Sequence, residues 1–205
     1  VRALVAVIAP LRVLFGLKFG LIDSITGRLE QDPAVREIMP LGGGRFGASQ
    51  IADLSKRPEV LCALPRTRQI AAAADLSLPG QVQALNVEMI PTAHGDPLLG
   101  SLPVPVGLDG MLLSKTAAEK LQVKAGDWLD AAITRQVAGR LEVRRVRVKV
   151  DAVLPLEAFQ RDALFASLEL LQAAEAYRDG RAVPALDWPG EARPSDAPRV
   201  YPALR

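Results

Sequence analysis

One run constrains this chain more than any other. Val146, Val148, Val150 and Ala152 alternate with Arg145, Arg147, Lys149 and Asp151. A period of two sends the aliphatic side chains to one face of an extended strand and the charged ones to the other. Such a strand belongs in a sheet with one face on a core and one in water. The basic face, residues 144–149, would also suit anionic lipid headgroups, although a solvated sheet face is the simpler reading.

The remaining patterns supply partners for that strand. Ile22, Ile25 and Leu29 recur at helical spacing over residues 21–32, and Pro33 ends the helix. Residues 35–41 read as a short strand, Ser49 as the cap of a helix carrying Ile51 and Leu54, and residues 60–64 as a second buried strand. Pro79-Gly80 turns residues 76–78 into a strand over residues 82–90, which predicts a hairpin. Residues 91–110 hold Pro91, Pro97, Pro103 and Pro105 with four glycines, and read as a long loop. Thr116 and Glu119 have capping-box spacing before a short helix anchored by Leu121, and Gly126-Asp127 turns into a strand over residues 128–134. A final helix is expected from Asp162 to Gly180, with Leu164, Leu168 and Leu171 on one stripe.

This order predicts an α+β fold. A small mixed α/β lobe occupies residues 20–75, a more β-rich lobe residues 76–180, and a proline-rich extended end residues 181–205. The 205 residues are 49% hydrophobic, enough to pack around a core. With 25 basic against 23 acidic side chains and only 4% aromatics, the chain lacks the footprint of a nucleic-acid binder. Its single cysteine, Cys62, has no internal disulfide partner, and its single histidine, His94, supplies no histidine cluster for a metal.

Few motifs offer chemistry. Gly42, Gly44 and Gly47 satisfy G-x-G-x-x-G between an expected strand and an expected helix, as in a dinucleotide turn. The helix that follows is short, the next strand ends in Pro65-Arg66 without an acidic residue for a ribose, and no parallel series continues, so a flexible turn is the simpler reading. His94 stands two residues from Asp96, but no nucleophile motif accompanies them. No catalytic residue, cofactor or metal is called for. Within the 91–110 loop, His94, Asp96, Leu98 and Leu99 are the expected contacts for a partner or substrate.

The first residues, VRALVAVIAPLRVLFGL, are strongly apolar, but the uncharged run is much shorter than the roughly 20 residues of a spanning helix. It reads as a signal-like segment, the outer end of a transmembrane helix, or an ordinary buried or interfacial helix. The other end, VYPALR, reads as extended chain with no terminating signal.

Four segments together resemble the extracytoplasmic domain of ABC-transporter permeases of the MacB/FtsX-like superfamily, which includes lipoprotein-releasing permeases. They are PLRVLFGLKFGLIDSITGRLEQDPAVREIMP, RPEVLCALPRTRQIAA, LLSKTAAEKLQVKAGDWL and YRDGRAVPALDWPGE. In the third, a strand, a short helix ending in a leucine and a Gly-Asp turn into another strand follow the superfamily's order. The resemblance implies a MacB-like periplasmic core over residues 20–205, with residues 1–19 as a transmembrane tail. It also implies a non-catalytic role in a bacterial inner membrane, on the periplasmic or extracellular side, coupling cytoplasmic ATP hydrolysis to efflux or lipoprotein release. The implied partners are an ABC ATPase subunit, a second permease subunit, and a periplasmic adaptor or lipoprotein cargo. The alternatives are a soluble nucleotide-binding enzyme using the Gly42 to Gly47 turn, or a periplasmic binding protein.

Overall fold

A computed structural model describes residues 12–22, 26, 44–68, 72–191 and 199–205. The chain divides into two units, Val1–Glu37 and Ile38–Arg205. In the first, residues 12–22 form a helix (α1) that leaves Leu14, Phe15, Leu17 and Phe19 exposed. No helix among the described residues is long and apolar enough to cross a membrane. The strand expected over residues 35–41 lies outside the described residues, as do Gly42 and most of the helix expected over 21–32.

The second unit is built on a closed six-stranded barrel. Its strands are β3 (Ala73–Ser77), β4 (Leu85–Pro91), β5 (Gly110–Ser114), β6 (Trp128–Val137), β7 (Arg140–Leu154) and β8 (Ala163–Ala166). They close in the order β3-β4-β8-β5-β7-β6. The β4–β8 and β5–β7 pairs are parallel and the others antiparallel. The expected hairpin is the β3–β4 pair, and the lobe boundary expected between residues 75 and 76 falls inside β3. The chain is therefore α+β, with the barrel at the centre of the second unit.

Every strand sends alternate side chains into one interior. Ala74 and Leu76, Val87 and Met89, Met111 and Leu113, Leu129 and Ile133, Val146 and Val148, and Leu164 and Ala166 share a single buried cluster. Helices α3 (Lys115–Leu121) and α4 (Leu168–Arg178) add Ala117, Leu170, Leu171 and Tyr177 to it. A second cluster lies on the other side of β5 and β8, where Leu112, Ala163 and Phe165 meet Ile90, Leu98 and Leu99. Since both faces of β5 and β8 are covered, all their residues are buried.

That double burial corrects one expectation. Residues 163–166 form strand β8 rather than the start of a helix, so Leu164 lies in the barrel and α4 begins only after the cap Ser167. A strand covered on both faces carries no period-two signal, and a short apolar run then passes for a helix turn.

A β-bulge corrects another. The β5–β7 register slips between Met111 and Leu112, so that Met111 opposes Val150 and Leu112 opposes Ala152. Asp151 is the extra residue, and the strand turns over beyond it. Val146, Val148 and Val150 stay in the barrel interior, while Ala152 faces the second cluster.

Three further expectations give way, the first being that Ser49 lies inside the helix Ala48–Ser55, whose cap position is Gly47. The cap of α3 is Ser114, whose Oγ accepts from Ala117 N–H at 3.4 Å, not Thr116. Residues 60–64 are not a strand, and Leu61 is exposed. The strand there is the short β2 (Pro65–Arg66), preceded by β1 (Phe46–Gly47) and α2 (Ala48–Ser55).

The partners of β1 and β2 come from the other end of the chain. Strand β9 (Val200–Tyr201) pairs with β1, and β10 (Ala203–Leu204) pairs with β2. Gly44 N–H donates to Pro202 O at 3.1 Å, and Leu64 and Arg205 exchange two backbone bonds of 2.8 Å.

Candidate functional site

The loop between β4 and β5 was expected to present His94, Asp96, Leu98 and Leu99 together. The structure separates them. His94 and Gly95 are exposed, with Gly95 in a left-handed turn at φ 84°. Leu98 and Leu99 are buried in the second apolar cluster.

Asp96 is the anchor of the loop. Its Oδ2 accepts from Thr92 Oγ1 at 2.8 Å and its Oδ1 from Leu98 N–H at 3.0 Å. The Arg205 guanidinium closes on both oxygens, with Nη1 2.7 Å from Oδ2 and Nη2 3.1 Å from Oδ1. Arg205 Nη1 also donates to Pro91 O at 3.3 Å. A two-pronged pair of this kind is directional and strong once water is excluded.

Nothing in the local sequence around Asp96 pointed to Arg205, because the two are brought together only when β10 is laid beside β2. The sole hint was an ionisable residue within an apolar loop segment.

Cys62 lies in the same neighbourhood and is half-buried. Burial pushes its thiol up, the Asp96 charge pushes further in that direction, and Arg205 opposes them. A thiol held protonated is a poor nucleophile.

The glycine turn serves the chain itself. Gly44 is bonded to Pro202, and Gly47 N–H, at the start of α2, donates to Gln50 Oε1 at 2.9 Å. That amide is therefore engaged within the fold rather than offered to a phosphate.

A second set of contacts ties α4 to Arg68 and to Tyr201 of β9. Arg68 N–H and Nε reach Glu175 Oε1 at 3.0 and 3.1 Å, Arg68 Nη2 pairs with Asp179, and Gln172 Nε2 donates to Tyr201 OH at 2.8 Å. Beside α4 runs a shallow groove lined by Ala173, Ala176, Val183 and Pro184, with Glu169 and Arg181 among its polar residues. A more polar cleft, lined by Gln81, Gln83, Lys120 and Gln122, lies between the β3–β4 connection and α3. Among the described residues no group of three or more His, Cys, Asp or Glu side chains is placed to hold a metal.

No family model matches the chain, and no curated protein matches it.

Proposed function

We propose that this chain is the extracytoplasmic domain of an ABC-transporter permease of the MacB/FtsX-like superfamily. It acts without catalysis of its own and transmits the work of a cytoplasmic ATPase to a substrate or partner protein outside the membrane. The observation that carries this reading is the fold of residues 112–129. Leu112 and Leu113 lie in β5, α3 ends at Leu121, Gly126 makes the turn at φ 97°, and β6 starts at Trp128. Asp127 Oδ2 accepts from Lys124 N–H at 2.8 Å and stabilises that turn. This is the order that the sequence resemblance implies.

The mechanics agree with such a role. Segments 44–47 and 199–202 are hydrogen-bonded side by side, so displacements arriving through either one enter the body at one place. From there the Asp96–Arg205 pair and the α4 contacts lead to a closed barrel. A barrel has no free edges within its ring to slip, and it moves as a unit. In this reading the whole protein is a dimer in the bacterial inner membrane, and its cargo is a small molecule or a lipoprotein.

The test lies in the whole gene. The full reading frame should encode apolar runs of about 20 residues on both sides of this domain, with an ATPase gene beside it. The whole protein, purified from membranes, should retain that ATPase and alter its turnover. A frame without such runs, or an ATPase indifferent to the protein, removes the permease reading.

A further inference from the structure

Strand β7 is much longer than the barrel requires. It pairs with β6 along its length from Arg140 to Lys149, yet pairs with β5 only from Gly110↔Lys149 onward. No other described strand lies against residues 141–147. Ahead of β5, Gly107 has φ 71° and its carbonyl accepts from Ser167 Oγ at 2.5 Å, and no strand pairing joins residues 101–109 to β7. Among the described residues, one side of the β7 backbone is therefore left as an edge.

The hydrogen bonds at its inner end fix which groups face that edge. Lys149 N–H donates to Asp109 O at 2.6 Å on the β5 side. Val150 N–H donates to Asp127 O at 2.9 Å, and its carbonyl accepts from Gly126 N–H at 2.7 Å, on the β6 side. The β6 register is unbroken from Trp128↔Lys149 to Val137↔Arg140, so the alternation carries outward. Leu141, Val143, Arg145 and Arg147 direct N–H and C=O away from β6. Val143 O is met by Arg144 Nη1 at 3.2 Å, a side chain standing where a neighbouring strand's N–H would be.

Charge decides what can pair there. Arg140, Arg144, Arg145, Arg147 and Lys149 stand against one acid in this stretch, Glu142, and that acid is held by Arg135 at 2.8 Å. Arg145, Arg147 and Lys149 project from the outer face and are exposed, with Arg147 Nε 3.4 Å from Asp130 Oδ1 on β6. A second copy of β7 would set arginine against arginine, which is unfavourable across a strand pair. A strand with acidic residues at alternate positions would set carboxylates opposite them.

We infer that the β7 edge over residues 141–147 binds an extended acidic segment of a partner protein by strand addition. Main-chain bonds to Leu141, Val143, Arg145 and Arg147 supply the register, and Arg145, Arg147 and Lys149 select alternating Asp or Glu. This rests on the barrel geometry and stands apart from the permease reading.

The probe is a labelled, end-blocked peptide alternating Glu and Thr, long enough to span residues 141–147, titrated into this chain by fluorescence anisotropy. It should bind at least about tenfold more tightly than the Lys-for-Glu counterpart, the scale expected of three cross-strand charge pairs. Two N-methylated versions, each blocking one edge of the peptide, separate pairing from simple charge attraction. One should bind like the parent and the other about tenfold more weakly. Val143→Pro removes an edge-facing N–H that β6 does not use and should weaken binding with the circular dichroism unchanged; should that variant not fold, the N-methyl comparison decides alone. Equal binding of both N-methylated peptides overturns strand addition. Flotation with phosphatidylserine vesicles in the absence of any peptide binding overturns it as well.

Discussion

Arg205 and Asp96, far apart in sequence, meet as a two-pronged ion pair with side chains only 9% and 1% exposed. The pair locks the β9–β10 segment to the β4–β5 loop. Asp96→Ala takes the two-pronged Asp96 carboxylate away from a buried guanidinium and frees Leu98 N–H and Thr92 Oγ1. The expected loss is about 3–5 kcal/mol in urea unfolding at fixed pH. The double change Asp96→Leu with Arg205→Met should lose less than Asp96→Ala alone. If the double variant is worse than the single one, the two residues do not act as a pair.

Ser114, fully buried, holds two amides with one hydroxyl, Ala117 N–H at 3.4 Å and Ala163 N–H at 3.0 Å. It thereby caps α3 and joins β5 to the start of β8. Ser114→Ala is expected to cost about 1–3 kcal/mol, because Ala163 N–H is left unpaired in the core. Thr116→Ala should cost less, about 0.5 kcal/mol, since its hydroxyl caps no amide and meets only Ser114 Oγ at 3.3 Å. Thermal or urea unfolding distinguishes the two, and the reverse ranking would restore Thr116 as the cap.

Tyr177 lies under the Arg135 guanidinium, 4.2 Å from ring centre to Cζ, and against Trp188 at 5.2 Å between ring centres. Among the described residues its buried hydroxyl finds no hydrogen-bond partner. Tyr177→Phe keeps the ring and removes the unsatisfied group, so stability should rise by up to about 1 kcal/mol. Tyr177→Ala should cost about 3–5 kcal/mol. A destabilised Phe variant would mean that the hydroxyl is bonded in solution.

Asp151, the bulge residue, sits close to Gly110, and burial pushes its carboxyl above the ordinary 3.8, Lys149 opposing and Asp109 adding. The folded chain then holds this proton more tightly than the unfolded chain. Its contribution is fully present below 3.8 and is lost as pH rises through the raised value. Asp151→Asn should remove this slope and be at least as stable as the parent at neutral pH. Unfolding curves on both sides of that window check it, and a less stable Asn variant at neutral pH would contradict it.

Cys62 should alkylate more slowly than free cysteine at neutral pH, because burial and the Asp96 charge hold the thiol protonated. Urea should bring its rate to that of the free thiol. Iodoacetamide labelling followed by mass gives the rates, and rapid labelling of the folded chain would refute the assignment.

Where one face of a segment meets the core and the other meets water, the sequence was readable. Val146 to Val150, the β3–β4 hairpin at Pro79-Gly80 and the Gly126-Asp127 turn each carry their geometry in a few adjacent residues. The strand β8 did not, because its alternation is erased by burial on both faces. For the loop over residues 91–110, sequence placed the connection but not the direction of its side chains. Asp96, Leu98 and Leu99 turn inward, and His94 alone among them stays exposed.

By itself, then, the sequence determined the local elements: a mixed α+β chain, its turns, and a core-forming strand with a basic outer face. Periodicity and backbone preference act over a few residues and are written in order along the chain. Only the tertiary structure decided that six strands close into a barrel, that a bulge at Asp151 turns β7 over, and that Arg205 crosses to Asp96. Those outcomes depend on which distant segments exclude water together, and pairings of that kind leave no spacing to read.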